Sequence, residues 1–440
     1  MTVNYFGKAH VLALSFTVFA ILSPCELALA QQQKDMHTVA DEAKIAFTEV
    51  PFMLGHTSNT CERAMTLRGP LEFKPQILHT GGTHYGTQFV KWLRDGHTAI
   101  VSRIALAPGS CPNVSDCACE PELSHVHIVP FVVDMRTRDV VLKLTQSFPN
   151  SDNLYADAGP VYPDNTSTNV AGYLVGIHDV HENSTQMYRL NADGSNPQPV
   201  PIPQAAKAHG CQLSPKGRQL VCEVPAVSPG PNYVRFCLTD LSGSPCTFIQ
   251  KDNERIILGY AVWSPDGSGF VYYSEDDGRA QLMYYRLGGT PVALGPQWTD
   301  TSKWTPSFAC DDYRFSRPFS CRFYGGMGSN IGSDVPAWSK NGDYVYFSTV
   351  NLAEEAPFHR YLARIPIRHA DRIEILTPKF DGEPGHPAVS PDGSSAIFTS
   401  PASPFDPRTE VFRVNVKEKK PARLTHLPAS SQAYALHWWE

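Results

Sequence analysis

The stretch Val262-Trp263-Ser264-Pro265-Asp266-Gly267, followed by Gly269-Phe270-Val271-Tyr272-Tyr273-Ser274, decides the fold. It reads as a short apolar strand, a tight turn and a second apolar strand. Proline presets φ at the start of the turn, and Asp-Gly accepts the positive φ that closes a hairpin. Three further segments read alike. Cys211-Gln212-Leu213-Ser214-Pro215-Lys216-Gly217 precedes Gln219-Leu220-Val221-Cys222. Ala337-Trp338-Ser339-Lys340-Asn341-Gly342 precedes Tyr344-Val345-Tyr346-Phe347-Ser348, and Ala388-Val389-Ser390-Pro391-Asp392-Gly393 precedes Ala396-Ile397-Phe398-Thr399-Ser400. Weaker copies lie upstream, around Arg94-Asp95-Gly96 and Val161-Tyr162-Pro163-Asp164-Asn165. Second hairpins follow, as in Gln186-Met187-Tyr188-Arg189-Leu190 before Asp193-Gly194, and Glu410-Val411-Phe412-Arg413-Val414 before Ala422-Arg423-Leu424-Thr425. The repeat is therefore four strands and about 50 residues long, the size of a propeller blade.

Ser-Pro-Asp-Gly between two such strands, then a Tyr-x-Leu or Phe-x-Val strand and a Leu-Thr close, resembles the TolB-type, WD-like (PD40-type) propeller repeat. The resemblance implies an all-β chain with a single β-propeller over residues 44–440, of about seven four-stranded blades, with six or eight as alternatives. It speaks for fold and says little about function, because this repeat serves many unrelated proteins. The ends add a second expectation. Lys44-Ile45-Ala46-Phe47-Thr48 looks like a second strand without a first, and Ala435-Leu436-His437-Trp438-Trp439 like a first strand without a second. Pairing them in one blade closes the ring and leaves no open edge. A TolB carries an α/β domain ahead of its propeller. Only a short lead, residues 31–43, is expected there in this chain, so the Pal-binding role of TolB is not carried over whole.

The first thirty residues have the layout of a cleaved secretory signal. Lys8 and His10 precede an apolar run from Val11 to Leu22, and Ala28-Leu29-Ala30 offers a small-residue cleavage site. The run is short for a membrane span, so the expectation is a secreted or periplasmic protein with no stable span after cleavage. Of 11 cysteines, Cys25 leaves with the signal and an even number remain, which suits disulfides in an oxidising compartment. Cys211 and Cys222 flank the turn Ser214-Pro215-Lys216-Gly217, Cys237 and Cys246 flank Asp240-Leu241-Ser242-Gly243, and Cys310 and Cys321 bracket a polar segment. Each pair is expected to be bonded. The partners of Cys61, Cys111, Cys117 and Cys119 stay open, and a zinc site at Cys111, Cys117 and Cys119 is the weaker alternative. A Cys-rich insertion over residues 108–121 and a loop insertion over 297–334 interrupt the repeats. With a net charge of −6 the chain gives no electrostatic reason to expect nucleic acid as a partner.

The sequence contains no Gly-x-Ser-x-Gly elbow, no His-Glu-x-x-His and no phosphate-binding glycine loop. What remains is positional. Repeats related by rotation place equivalent residues in a ring. The start of each inner strand reads Gln88, Asp157, His209, Asp334 and His386, and His437 lies on the final inner strand. These residues form the candidate ligand site. Imidazole and carboxylate suit a divalent cation, Mn, Zn or Fe, and His209, His386 and Asp334 are the candidate metal ligands. Oligogalacturonate lyases combine a related propeller with a metal held by His and Gln at the channel, and this chain is similar to them only in repeat type and residue kind. Water alone can also line such a channel. Two functions follow: a binding or scaffold module for a protein, peptide or glycan, or a metal-dependent lyase or hydrolase acting on a polysaccharide or glycoside. His178, Asp179, His181 and Glu182 read as a solvated turn between strands.

Overall fold

In the computed structural model of the protein, the structure describes residues 45–51, 66–68, 83–106, 126–137, 139–152, 154–164, 166–179, 184–202, 210–225, 234–249, 261–276, 279–295, 304–306, 335–351, 360–382, 384–403, 406–427 and 431–438. Among these residues the strands form seven antiparallel sheets, six with four strand positions and a seventh of three strands. Blades I to VI cover residues 83–143, 156–199, 210–248, 262–294, 304–375 and 385–423 in turn. Each runs inner to outer in chain order. The seventh sheet joins the two ends. Ser431–Trp438 is its inner strand and pairs with Ile45–Pro51, which pairs in turn with Thr66–Arg68. The expected closure is present, with Ile45 opposite Trp438 and Pro51 opposite Ser431. The only helical element among the described residues is the 3-10 turn Ile367–His369, and no described helix is long and apolar enough to cross a membrane.

The hairpin turns show why Ser, Asp and Gly recur. Ser264 Oγ donates to Asp266 Oδ1 at 2.7 Å and accepts from the Gly269 amide at 3.2 Å, while Gly267 turns back at φ 62° and its amide donates to the Ser264 carbonyl. Ser390 with Asp392 and Ser339 with Asn341 repeat the arrangement at 2.6 and 2.7 Å. The Leu-Thr close is equally local. Thr377 and Thr425 accept the amides of Leu362 and Val411, each at 2.9 Å. The repeated hydroxyls and carboxylates are thus occupied in holding strands.

Alternation along the strands then joins the blades. Side chains at i and i+1 point to opposite faces, and both faces of a blade meet a neighbour, so the second strands are apolar on both faces over most of their length. Phe270 and Tyr272 pack against Val221 and Phe236 of blade III, whereas Val271 and Tyr273 pack against Val345 and Phe347 of blade V. Comparable clusters join I to II through Ile100, Val132, Ala158 and Tyr173, II to III through Leu174, Leu220 and Cys222, and V to VI through Tyr346, Phe398 and Phe412. Burying each such side chain contributes about 1.5–3 kcal/mol. Indole bonds link inner strands as well, from Trp263 Nε1 to the Gln212 carbonyl and from Trp338 Nε1 to the Val262 carbonyl.

Blade III carries two disulfides, Cys211–Cys222 and Cys237–Cys246, as the flanked turns implied. The expected Cys310–Cys321 bond lies outside the described residues, as do residues 1–43, Cys61, Cys111, Cys117, Cys119 and the 108–121 insertion. The 297–334 stretch is not loop throughout. Trp304–Pro306 pairs with the far half of Tyr344–Asn351, and Ala337–Trp338 with its near half, so the inner strand of blade V is supplied in two pieces.

Deleting residues 431–440 removes the inner strand of the closing sheet and bares Ile45–Pro51. The expected result is a loss of about 10 °C or more in Tm, and an unchanged melting curve would contradict the closure. The turn glycines give a graded test. Gly393, at φ 69°, has open space where a Cβ would stand, whereas at Gly243, at φ 83°, a Cβ would overlap the Pro201 carbonyl. Gly393→Ala is expected to cost about 1 kcal/mol in urea denaturation and Gly243→Ala at least about 3.

Candidate functional site

In a propeller the inner strands run in the same direction around the channel, so the first residues of each approach one mouth and the last residues the other. Asp157 is the second residue of Ala156–Val161, opposite Gly176, and His386 the second of Gly385–Val389. These two stand toward the same mouth. Gln88 sits mid-strand opposite Ser102. His437 is opposite Ala46, one residue from the end of its strand. It lies toward the opposite mouth from Asp157 and His386, because its inner strand reaches the channel start with Ser431. His209 and Asp334 are outside the described residues. Among the described residues no three His, Cys, Asp or Glu side chains gather as a metal site would need.

His386 is buried and holds φ at 48°, in the left-handed region that non-glycine residues seldom occupy. The strand is irregular there, with Gly385 opposite Thr399 and Ala388 opposite Ile397. Backbone held in this way is a feature that clusters at ligand sites.

Three charged side chains of blades I to III have their titration shifted chiefly by desolvation. Asp157 accepts the Ala158 amide at 2.7 Å. Burial pushes its carboxyl up to about 8, against that hydrogen bond and the positive field of Lys91. Lys91 keeps solvent contact, yet desolvation, then the charge of Arg94, lower its pKa against the pull of Asp157. Glu223, opposite Gly210, is raised well above the usual carboxylate range by desolvation. Sequence reasoning passed over Lys91 and Glu223. The available signal was a charge inside an apolar strand, in Phe89-Val90-Lys91-Trp92 and Leu220-Val221-Cys222-Glu223-Val224.

His178 and Asp179 are not in a turn. They end the strand Gly172–Asp179, where cross-strand pairing with Thr185 and Ser184 extends the blade. His178 Nδ1 and Thr185 Oγ1 are 3.0 Å apart, and the imidazole lies 5.3 Å from the Tyr155 ring. His181 and Glu182 are outside the described residues.

The fold is a β-propeller of four-stranded repeats. No family model matches the chain, and no curated protein matches it. Solved structures do. Puromycin hydrolase, as an S511A mutant complexed with PGG, is similar at TM-score 0.51 and 13% identity, over 89% of this chain and 55% of that one. An oligogalacturonate lyase from Vibrio parahaemolyticus is similar at TM-score 0.49 and 11% identity, over 86% of this chain and 84% of that one. TolB from Acinetobacter baumannii gives TM-score 0.39 and 13% identity, over 79% of this chain and 68% of that one. Likeness at this level concerns the fold alone.

Because the Asp157 carboxyl is near 3.8 when solvated and about 8 in the folded chain, the folded state keeps a proton that the unfolded state gives up between those values. Stability therefore falls as pH rises from about 4 to 8. Asp157→Asn removes that cost. Its Tm is expected to exceed that of the wild type by about 2–5 °C at pH 8 and to match it near pH 4. Equal melting at both pH values would show that the carboxyl is not enclosed.

Proposed function

We propose that this chain is an exported β-propeller, secreted or periplasmic, that binds a protein, peptide or glycan at one mouth of its channel. Residues 1–30 serve as its cleaved signal, 31–43 as a lead, and 44–440 as the propeller with insertions at 108–121 and 297–334. The two disulfides of blade III suit an oxidising compartment. One observation carries the reading: Asp157, near the start of the blade II inner strand, and Glu223, opposite the first residue of the blade III inner strand, stand toward the same mouth with their carboxyls raised by desolvation. Keeping enclosed charges costs stability, and displaced ionisable groups cluster at functional sites. A second reading, a metal-dependent lyase or hydrolase with Mn, Zn or Fe held by His209, His386 and Asp334, draws on the constrained backbone at His386. In either reading Gln88, Asp157 and His386 contribute to the ligand site.

The test uses the chain from residue 31, applied to glycan and peptide arrays beside its Asp157→Asn and His386→Ala variants, with metal analysis of each. A binder is expected to show hits that weaken at least tenfold in the variants, about 1.4 kcal/mol, with the ligand recovered intact. Stoichiometric metal together with shortened glycan would replace this reading by the second. Hits equal in all three proteins would remove the channel mouth from the function.

A further inference from the structure

The four cysteines of blade III stand together. Cys211 of the inner strand Gly210–Leu213 is directly opposite Cys222 of the second strand Gln219–Pro225, and Cys222 is directly opposite Cys237 of the third strand Val234–Asp240. Residues opposed across antiparallel strands share a face, so the three side chains form a row of sulfurs across the blade. All three are buried in the apolar cluster between blades II and III, and Cys246 packs against that cluster. Cys246 precedes the outer strand Thr247–Phe248 and is half-buried, between the exposed Pro245 and Thr247. The bonds present are Cys211–Cys222 and Cys237–Cys246. The row thus runs from the solvent-facing edge of the blade to its inner strand, and its two bonds meet at the opposed pair Cys222 and Cys237.

We propose that this row is a thiol-disulfide relay, a redox-sensitive switch by which an external dithiol acting at Cys246 unties the inner strand of blade III. The inference goes beyond the binding role and does not rest on it. A thiolate of the dithiol attacks the Cys246 sulfur, forms a mixed disulfide there and expels Cys237 as thiolate. Cys237 then attacks the Cys222 sulfur: the Cys222–Cys237 bond forms, the Cys211–Cys222 bond breaks and Cys211 leaves as thiolate. The second thiol of the dithiol displaces Cys246. Two electrons have passed. The dithiol ends as its disulfide, its two protons end on Cys211 and Cys246, and the blade keeps one disulfide.

Three features favour the internal exchange over simple loss of Cys237–Cys246. Nucleophile, attacked sulfur and leaving sulfur come from three consecutive strands in that order, and displacement at sulfur runs in line. Cys211 and Cys222 have Cα atoms 4.0 Å apart, the close spacing of a non-hydrogen-bonded pair. Cys222 therefore turns its backbone groups to Cys237, which places those two Cα atoms about 5.5 Å apart, within the span of a disulfide. Cys222 and Cys237 also lie 15 residues apart in the chain, against separations of 11 and 9 for the bonds present. As a sole cross-link the new bond closes the longest loop and restrains the unfolded chain most. The exchange moves the cross-link to strands already paired over seven residues. The inner strand is then held by four register pairs and by the Trp263 bond to the Gln212 carbonyl.

The test titrates the chain from residue 31 with dithiothreitol, quenches it in acid, alkylates the thiols and maps the peptides without reduction. The chain reduced by two electrons in blade III is expected to carry alkyl groups on Cys211 and Cys246 and a Cys222–Cys237 bond. Amide hydrogen exchange over Gly210–Leu213 should quicken at least tenfold in it, while that of Val234–Asp240 holds. Cys246→Ala leaves Cys237 a thiol without any reductant and is expected to hold both Cys211–Cys222 and Cys222–Cys237 forms, whereas Cys237→Ala holds Cys211–Cys222 alone. The relay is overturned if the two-electron species keeps Cys211–Cys222 with Cys237 and Cys246 alkylated. It is equally overturned if both bonds are lost together, if Cys222 pairs outside blade III, or if Cys246→Ala holds Cys211–Cys222 alone. Formation of Cys222–Cys237 with unchanged amide exchange over Gly210–Leu213 would overturn the untying of the inner strand.

Discussion

The pairing of Ile45–Pro51 with Ser431–Trp438 is the constraint on which the rest depends. A blade cannot bury both of its faces by itself. Five of the six described clusters are shared between two consecutive sheets, and the sixth lies on the face of blade I turned away from blade II, so a linear stack would end in two apolar faces with nothing to cover them. Joining the ends in one sheet brings the last blade against the first. The bond that closes the ring is ordinary antiparallel backbone pairing, and its effect reaches every interface because the interfaces form one circuit.

Within that circuit, most of the polar chemistry the repeats display is structural. The turn serines hold an Asp or Asn side chain and a backbone amide at once, as Ser264 and Ser390 do. The turns also abut their neighbours: Gly267 faces the Pro215-Lys216 turn of the preceding blade, and Gly342 faces Pro265. Residue types that elsewhere signal catalysis are here consumed in local geometry. A functional search must therefore look for polar groups the repeat does not need, which directs attention to the inner strands of blades I to III.

There the requirements of fold and function diverge. Desolvating Asp157, Lys91 and Glu223 works against folding. A propeller can accept this because its stability is distributed over many interfaces, and the mouth of the channel contributes little to any of them.

The architecture was legible in the sequence because each blade rests on local rules. The turn type, the two-residue period and the flanking cysteines depend on neighbours within a dozen residues, and the half-repeats at the ends announced their partnership. The site was less legible. Equivalent positions in the repeat marked Asp157 and His386 as inner-strand residues of one mouth, but His437 lies toward the other end of its strand, and the role of Lys91 or Glu223 depends on how the channel encloses it. His178 read as part of a turn because polar residues at the end of a strand carry no apolar alternation to mark how far the pairing extends. Hydrogen bonding and periodicity are properties of a short segment, and the sequence by itself determined what rests on them. Enclosure and charge displacement arise only where separate strands and blades meet, and the tertiary structure alone decided those.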